Sequence, residues 1–196
     1  MGAFHAYDIR GIYDVDFNRQ DVYSIGRYLP ELLKADKVLI GRDVRISSDE
    51  IFQALCEGIT DAGADVYDAG LTTTPMIYWG TGNFNFHASV MITASHNDKE
   101  YNGLKISGKN VVPIGYDNGL KELEAKIKLP IEKLQAKKGN VHSLELKSKY
   151  LEFLSKYQSD FSNLSLCVDC SNGMSALLIK ELLQNPNVNY LFDELD

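Results

Sequence analysis

"KVLIGRDVRISSDEIFQALCEGITDAGADVYDAG", residues 37–70, decides the fold class. Its first seven residues form a short apolar run of strand length, closed by Gly41-Arg42-Asp43. Behind them Ser47 and Glu50 stand at the spacing of a capping box, which predicts a helix start. Ile51, Phe52, Leu55, Cys56 and Ile59 then recur on one helical face, and Gly63 suits the end of the helix. "ADVYDAG" (64–70) is the next strand. Strand, helix and strand in succession imply a parallel crossover.

The neighbouring segments extend this unit. "AYDIRGIYD" (6–14) predicts a strand with a tight bend at Gly11. "NRQDVYSIGRYLPELLK" (18–34) carries Val22, Ile25, Gly26, Leu29, Leu32 and Leu33 at helical spacing. Asn18 can cap its start, and Pro30 is expected to bend or split it. "TTTPMIYWGTGNF" (72–84) places Pro75 in a first helical turn, with Tyr78 and Trp79 expected in the core. "HASVMIT" (87–93) and "GLKIS" (103–107) read as strands. "YDNGLKELEAKIK" (116–128) and "SLELKSKYLEFLSKY" (143–157) read as surface helices, with a polar link at 129–140 between them. At Leu164 the order restarts. "LSLCVDCSNGMSALLIKELLQ" is strand, polar loop and helix, and "VNYLFDELD" is another strand. The expected organisation is one α/β domain over residues 1–140, then a linker helix and the start of a second, similar domain over 141–196. Because the pattern stops after that domain's second strand, the sequence reads as the N-terminal part of something longer.

Composition narrows the classes. The chain has 196 residues, 44% hydrophobic and 24% charged, the balance of a globular protein with a real core. A net charge of -7 argues against a nucleic-acid partner, which needs a basic excess. No apolar run approaches the roughly 18 residues of a membrane helix. The first residues lack the basic start and apolar stretch of a secretory signal, and Ala6 stands where a myristoylation signal needs Ser or Thr. The cytoplasm is therefore the expected location, with no membrane partner. Three cysteines, Cys56, Cys167 and Cys170, fit reduced, buried thiols. The Cys167-x-x-Cys170 pair lacks the two further ligands of a zinc site.

"MITASHNDKEYNGLK" (91–105) is the stretch that carries chemistry. An apolar strand stops at Ser95-His96-Asn97, at the strand end where open α/β sheets place ligand loops. Asn102-Gly103 predicts a turn that brings Lys105 back toward Ser95. Leu104 and Ile106 face one side of the following strand and Lys105 the other. Serine is a weak nucleophile unless it is activated or already modified. His96 is adjacent in sequence and is expected to diverge from it, and no G-x-S-x-G elbow surrounds it, so a hydrolase triad is the weaker reading. A phosphorylated serine neutralised by lysine and backbone amides fits better. The structural alternative is a loop built from good loop formers.

"TASHN" with "YNGLKIS", "AYDIRG" at the start, "GRDVR" at 41–45 and "VDCSNG" at 168–173 together resemble the α-D-phosphohexomutases, in order and over essentially the whole chain. "YDIRG" resembles the phosphomannomutase/phosphoglucomutase branch more than the phosphoglucosamine mutases, which more often open on Gly-Ile-Arg-Gly. The resemblance implies a mixed sheet flanked by helices. It implies phosphoryl transfer between the 1 and 6 positions of mannose or glucose phosphate, through a phosphoserine and a hexose 1,6-bisphosphate. By that match Ser95 is the phosphoserine and one ligand of Mg²⁺, with the remaining ligands expected beyond residue 196. His96 and Lys105 take catalytic positions. Tyr7, Arg10, Arg42, Arg45 and Asn97 take phosphate- or substrate-binding positions. Competing roles stand beside these: Arg10 can pair with Asp8 or Asp14, Arg42 can hold a local turn with Asp43, and Tyr7 can pack on its strand. A non-catalytic module binding a sugar phosphate or a partner is the alternative function. Asp98 departs from the family's usual proline, adding charge beside the serine.

Overall fold

The computed structural model describes residues 2–130 and 137–196, so residues 131–136 of the polar link lie outside the described residues. The chain divides into two compact units, Met1–Leu144 and Glu145–Asp196.

The first unit is built on a six-stranded sheet. Its strands are β1 (Ile9–Ile12), β2 (Lys37–Arg42), β3 (Asp65–Leu71), β4 (Ala88–Ile92), β5 (Tyr101–Gly108) and β6 (Val141–Ser143). They lie in the order β1-β5-β4-β2-β3-β6. β2 pairs in parallel with β3 and β4, and β3 with β6. β5 runs antiparallel to both β4 and β1, so the sheet is mixed. Four helices complete the unit: α1 (Arg19–Leu33), α2 (Ser48–Asp61), α3 (Thr74–Asn83) and α4 (Leu120–Lys126).

Strand alternation sorts the core into two layers. Val38, Ile40, Val90, Ile92, Leu104 and Ile106 meet Val22, Ile25, Leu29, Ile51, Leu55 and Ile59 from α1 and α2 in one buried cluster. Leu39 and Met91 point to the other face, which α3 covers with Met76 and Ile77, all buried. The two large helices cross almost backbone to backbone. A Cβ on Gly26 would sit 2.5 Å from the Leu55 carbonyl oxygen, and one on Gly58 2.2 Å from that of Tyr23. Only glycine permits so close a crossing.

Several local expectations give way to tertiary context. Pro30 does not split α1; it lies in the last turn, and the helix runs on to Leu33. Asn18 caps α1 as expected, accepting the Gln20 and Asp21 amides. The Ser47 capping box does not form: Ser47 makes no side-chain cap bond, and its hydroxyl accepts a bond from Asn102 Nδ2 at 2.9 Å. Gly11 is no bend but a strand residue opposite Asn102, and the chain turns later, at Asp14, whose φ is 65°. Asn102-Gly103 is likewise no turn. Both residues lie inside β5, and Asn102 is fully buried. Tyr78 and Trp79 are only half-buried; Met76 and Ile77 fill the core in their place.

The second unit carries α5 (Lys147–Ser155), β7 (Leu166–Asp169), α6 (Ile179–Leu182) and β8 (Val188–Leu191). β7 and β8 pair in parallel across a short helical connection, a small β-α-β element. All three thiols are free; Cys56 and Cys170 are buried, but Cys167 is exposed, against expectation. It sits on a face of β7 that nothing in this unit covers. Among the described residues no helix is long and apolar enough to cross a membrane.

Candidate active site

The loop between β4 and β5, residues 93–100, leaves the sheet at the carboxyl end of a central strand buried along its whole length. This is where parallel α/β sheets present ligand loops. Within it the Ser95 amide donates to Thr93 Oγ1 at 2.9 Å, and the Asn97 amide to the Ala94 carbonyl at 3.2 Å. These bonds close a tight turn. Ser95 occupies its left-handed position, with φ of 59°, a conformation an L-residue adopts only when its surroundings enforce it. The side chain is exposed.

The left-handed backbone brings two consecutive side chains together rather than letting them diverge. His96 Nδ1 lies 3.4 Å from Ser95 Oγ, a long hydrogen bond whose direction depends on the tautomer. Sequence reasoning missed this because extended neighbours alternate sides; only the positive φ reverses that.

Arg10 reaches the same loop from β1. Its Nη1 donates to Asn97 Oδ1 at 2.8 Å, and its Nη2 pairs with Asp8. Lys105, from β5, donates to the same carboxylate oxygen, Asp8 Oδ2, at 2.9 Å. Arg10 thus has both of the partners considered for it, a carboxylate neighbour and the loop. Its Nε is buried and has no hydrogen-bond partner among the described residues. Asp8 is one of the two carboxylates considered for Arg10; its further bond to Lys105 is what sequence reading overlooked. A signal for it existed: Ile9 pairs with Leu104, so antiparallel register sets the preceding residue against Lys105.

Burial pushes the Asp8 carboxyl up, but hydrogen bonds and positive charge from Arg10 and Lys105 outweigh it and hold it below the usual carboxylate range. A carboxylate with a depressed folded value stabilises the fold above its unfolded value. That contribution is lost as pH falls through the folded one. Asp8→Asn is therefore expected to lower stability at neutral pH and to flatten the fall in urea midpoint below about pH 4. An unchanged acid slope in the variant would dissociate Asp8 from this behaviour.

The two other arginines are deployed differently. Arg42 donates to Asp49 at 2.7 Å and to Asp68 at 2.9 Å, with its guanidinium 4.3 Å above the Phe52 ring. These partners lie on α2 and β3, not on the serine loop. Arg45, from the loop after β2, turns both Nη groups onto the backbone of residues 95–101. Tyr7 is 83% exposed and is not packed on its strand. The structure therefore brings Ser95, His96, Asn97, Arg10, Arg45 and Lys105 into one assembly, and leaves Tyr7 and Arg42 outside its hydrogen bonds.

The chain is similar to known proteins along most of its length. The model of phosphoglucomutase/phosphomannomutase, alpha/beta/alpha domain I, matches residues 1–133. A phosphomannomutase of Escherichia coli is 35% identical over 190 residues, covering 93% of this chain and 41% of the relative. One of Klebsiella pneumoniae is 41% identical over 124 residues, 63% of this chain and 79% of the relative. A crystal structure of a phosphoglucomutase/phosphomannomutase family protein from Burkholderia thailandensis superposes with a TM-score of 0.86 at 27% identity. It covers 99% of this chain and 44% of that one. The chain thus spans about two fifths of the length of the Escherichia coli relative.

Proposed function

The chain belongs to the phosphoglucomutase/phosphomannomutase family, and from that premise we propose that Ser95 is the residue that carries a phosphoryl group between hexose phosphates. The observation that carries this reading is the exposed Ser95 hydroxyl on an enforced turn, with Arg10 tied to that turn through Asn97 and with Lys105 tied to Arg10 through Asp8.

In the forward step the bond from Ser95 Oγ to phosphorus breaks, and a sugar hydroxyl oxygen takes the phosphoryl group. The sugar hydroxyl loses its proton to solvent, and the leaving Ser95 Oγ takes one from His96 Nδ1, which lies within reach; in the return transfer His96 takes that proton back and the sugar oxygen regains one from solvent. The product is a hexose 1,6-bisphosphate, which reverses and returns its other phosphoryl group to Ser95. Arg10 and Lys105 offset the charge that builds on the equatorial oxygens. Asn97 and Arg45 shape the turn. Tyr7, exposed in the bend before β1, is proposed to meet a sugar, and Arg42 shapes the neighbouring strand ends.

Mannose or glucose 1- and 6-phosphates are the proposed substrates, favoured over glucosamine phosphates by Asp8 in the first motif and by relatives named phosphomannomutase. Mg²⁺ is the proposed ion, supplying positive charge to the transferring group, with the Ser95 phosphate as one ligand. Among the described residues no cluster of three or more His, Cys, Asp or Glu side chains gathers to hold a metal, so this chain does not by itself fit the ion. The cytoplasm is the proposed location; the three free thiols fit a reducing compartment.

Incubation with glucose 1,6-bisphosphate should raise the intact mass by one phosphoryl group, located on Ser95 by peptide mapping. An unmodified chain that still retains hexose phosphate would favour the binding-module reading. Isomerisation by these 196 residues alone is expected to be weak or absent in a coupled assay. Arg10 and Lys105 both have their charge shared with Asp8, and transition-state stabilisation needs further convergent donors. Turnover at the rate of an intact relative would overturn that expectation.

A further inference from the structure

Arg45 stands where a phosphate ligand is expected, yet its donors are already used. Nη1 donates to the carbonyls of Asp98 at 2.7 Å and Tyr101 at 2.9 Å. Nη2 donates to the carbonyls of Ser95 at 2.9 Å and Asn97 at 2.6 Å. Nε lies 3.3 Å from Asp43 Oδ2. The side chain is only 13% exposed. Guanidinium has five N–H groups in a planar fork, and this set of partners engages the whole fork.

We propose that Arg45 is a positioning residue, which holds the serine turn in its left-handed form and does not itself bind the phosphoryl group. The inference rests on the reading of Ser95 given above. Three carbonyls of the loop and that of Tyr101, the first residue of β5, converge on a single cation, which fixes the loop along its length rather than at one point. In a trans peptide the N–H points opposite to the C=O. Drawing the Ser95, Asn97 and Asp98 carbonyls onto Arg45 therefore turns the His96, Asp98 and Lys99 amides to the opposite face of the loop. Residue 98 contributes there because it is an aspartate, which has an amide hydrogen, where a proline would have none.

The fork is itself held from below. Asp43 is buried, and its Oδ1 accepts from the Ser48 hydroxyl at 2.7 Å and from the Arg45 amide at 3.2 Å. Fully buried Asn102 donates to Ser47 Oγ at 2.9 Å and Ser48 Oγ at 3.0 Å. A continuous polar chain thus runs from β5 through the start of α2 to Asp43, Arg45 and the serine turn. The two strand-end loops are locked in register with each other before any substrate arrives.

The test compares Arg45→Lys and Arg45→Ala with the wild type in the 196-residue chain. It reads the initial rate of phosphoryl uptake from glucose 1,6-bisphosphate, thermal unfolding, and amide exchange by peptide. Lysine keeps the charge but offers a point donor in place of a fork. Both variants should fold, exchange faster only across the serine loop, and take up phosphoryl about 10²-fold more slowly, the cost of a misplaced reacting group. Added guanidinium should restore part of the Arg45→Ala rate, and methylammonium should not. Wild-type uptake in Arg45→Lys would show that charge suffices and overturn the proposal. Unfolding of both variants would assign Arg45 to fold stability and overturn it as well. A wild-type chain that takes up no phosphoryl overturns the reading of Ser95 instead.

Discussion

Ser95→Ala is expected to abolish phosphoryl uptake while leaving the fold intact. Thr93, the other hydroxyl of the turn, is buried and accepts the residue 95 amide with its side-chain oxygen. The change removes one exposed oxygen whose only side-chain contact is the long one to His96. Exposed substitutions of this kind usually move stability by no more than about 0.5 kcal/mol. Alanine also tolerates the left-handed φ no better and little worse than serine, so the turn should persist. Wild type and variant are then compared by intact mass after incubation with hexose bisphosphate, with unfolding midpoints alongside. The wild type gains one phosphoryl group and the variant none, at matching midpoints. Equal mass gain in the variant would place the carrier elsewhere and remove the basis of the proposed chemistry.

Gly103→Ala has the largest expected effect on stability. A Cβ there would lie 2.2 Å from the Ile9 carbonyl oxygen and 3.1 Å from Arg10 Cα. Both obstacles are backbone, in the strand paired with it, so no rotamer change relieves them. Relief requires β1 to move off β5. Overpacking that displaces backbone costs about 3 kcal/mol, or roughly 6–12 °C in a chain of this size. The same displacement separates Lys105 from Asp8 and Arg10 from Asn97, so phosphoryl uptake should slow even where the variant is folded. Gly70→Ala is the control. Its φ of 66° strains any side chain, but nothing lies within 4 Å, so the cost is only about 1–2 kcal/mol of backbone strain. A Gly103→Ala midpoint at or above that of Gly70→Ala would contradict the close strand approach.

Periodicity alone made most of the first unit legible. The α1, α2 and β2–β4 segments announce themselves because each buries a face whose spacing matches its own geometry. What stayed hidden was decided by partners remote in sequence. Asn102-Gly103 has the composition of a hairpin turn, yet the asparagine is spent on two serines of α2 and its loop, and the glycine on closeness to β1. The predicted cap at Ser47 fails for the same reason, since its hydroxyl is already engaged by that asparagine. β6, a three-residue edge strand with every residue exposed, leaves no apolar alternation to read. At the site, local chemistry pointed to Ser95, His96 and Lys105. The carboxylate joining Lys105 to Arg10, and the commitment of Arg45 to carbonyls, depend on register and loop closure that no short window contains.

The neighbourhood of Ser95 has an electrical consequence. The loops at 43–47 and 93–100, with Asp8 and strands β1 and β5, hold Arg10, Arg45, Lys99 and Lys105 against Asp8, Asp43, Asp98 and Glu100. Four cations meet four anions, so the empty turn is close to neutral. Loading the serine adds nearly two negative charges to a set that is balanced without them. One divalent counterion would restore the balance, whereas a monovalent one would leave half of the excess standing.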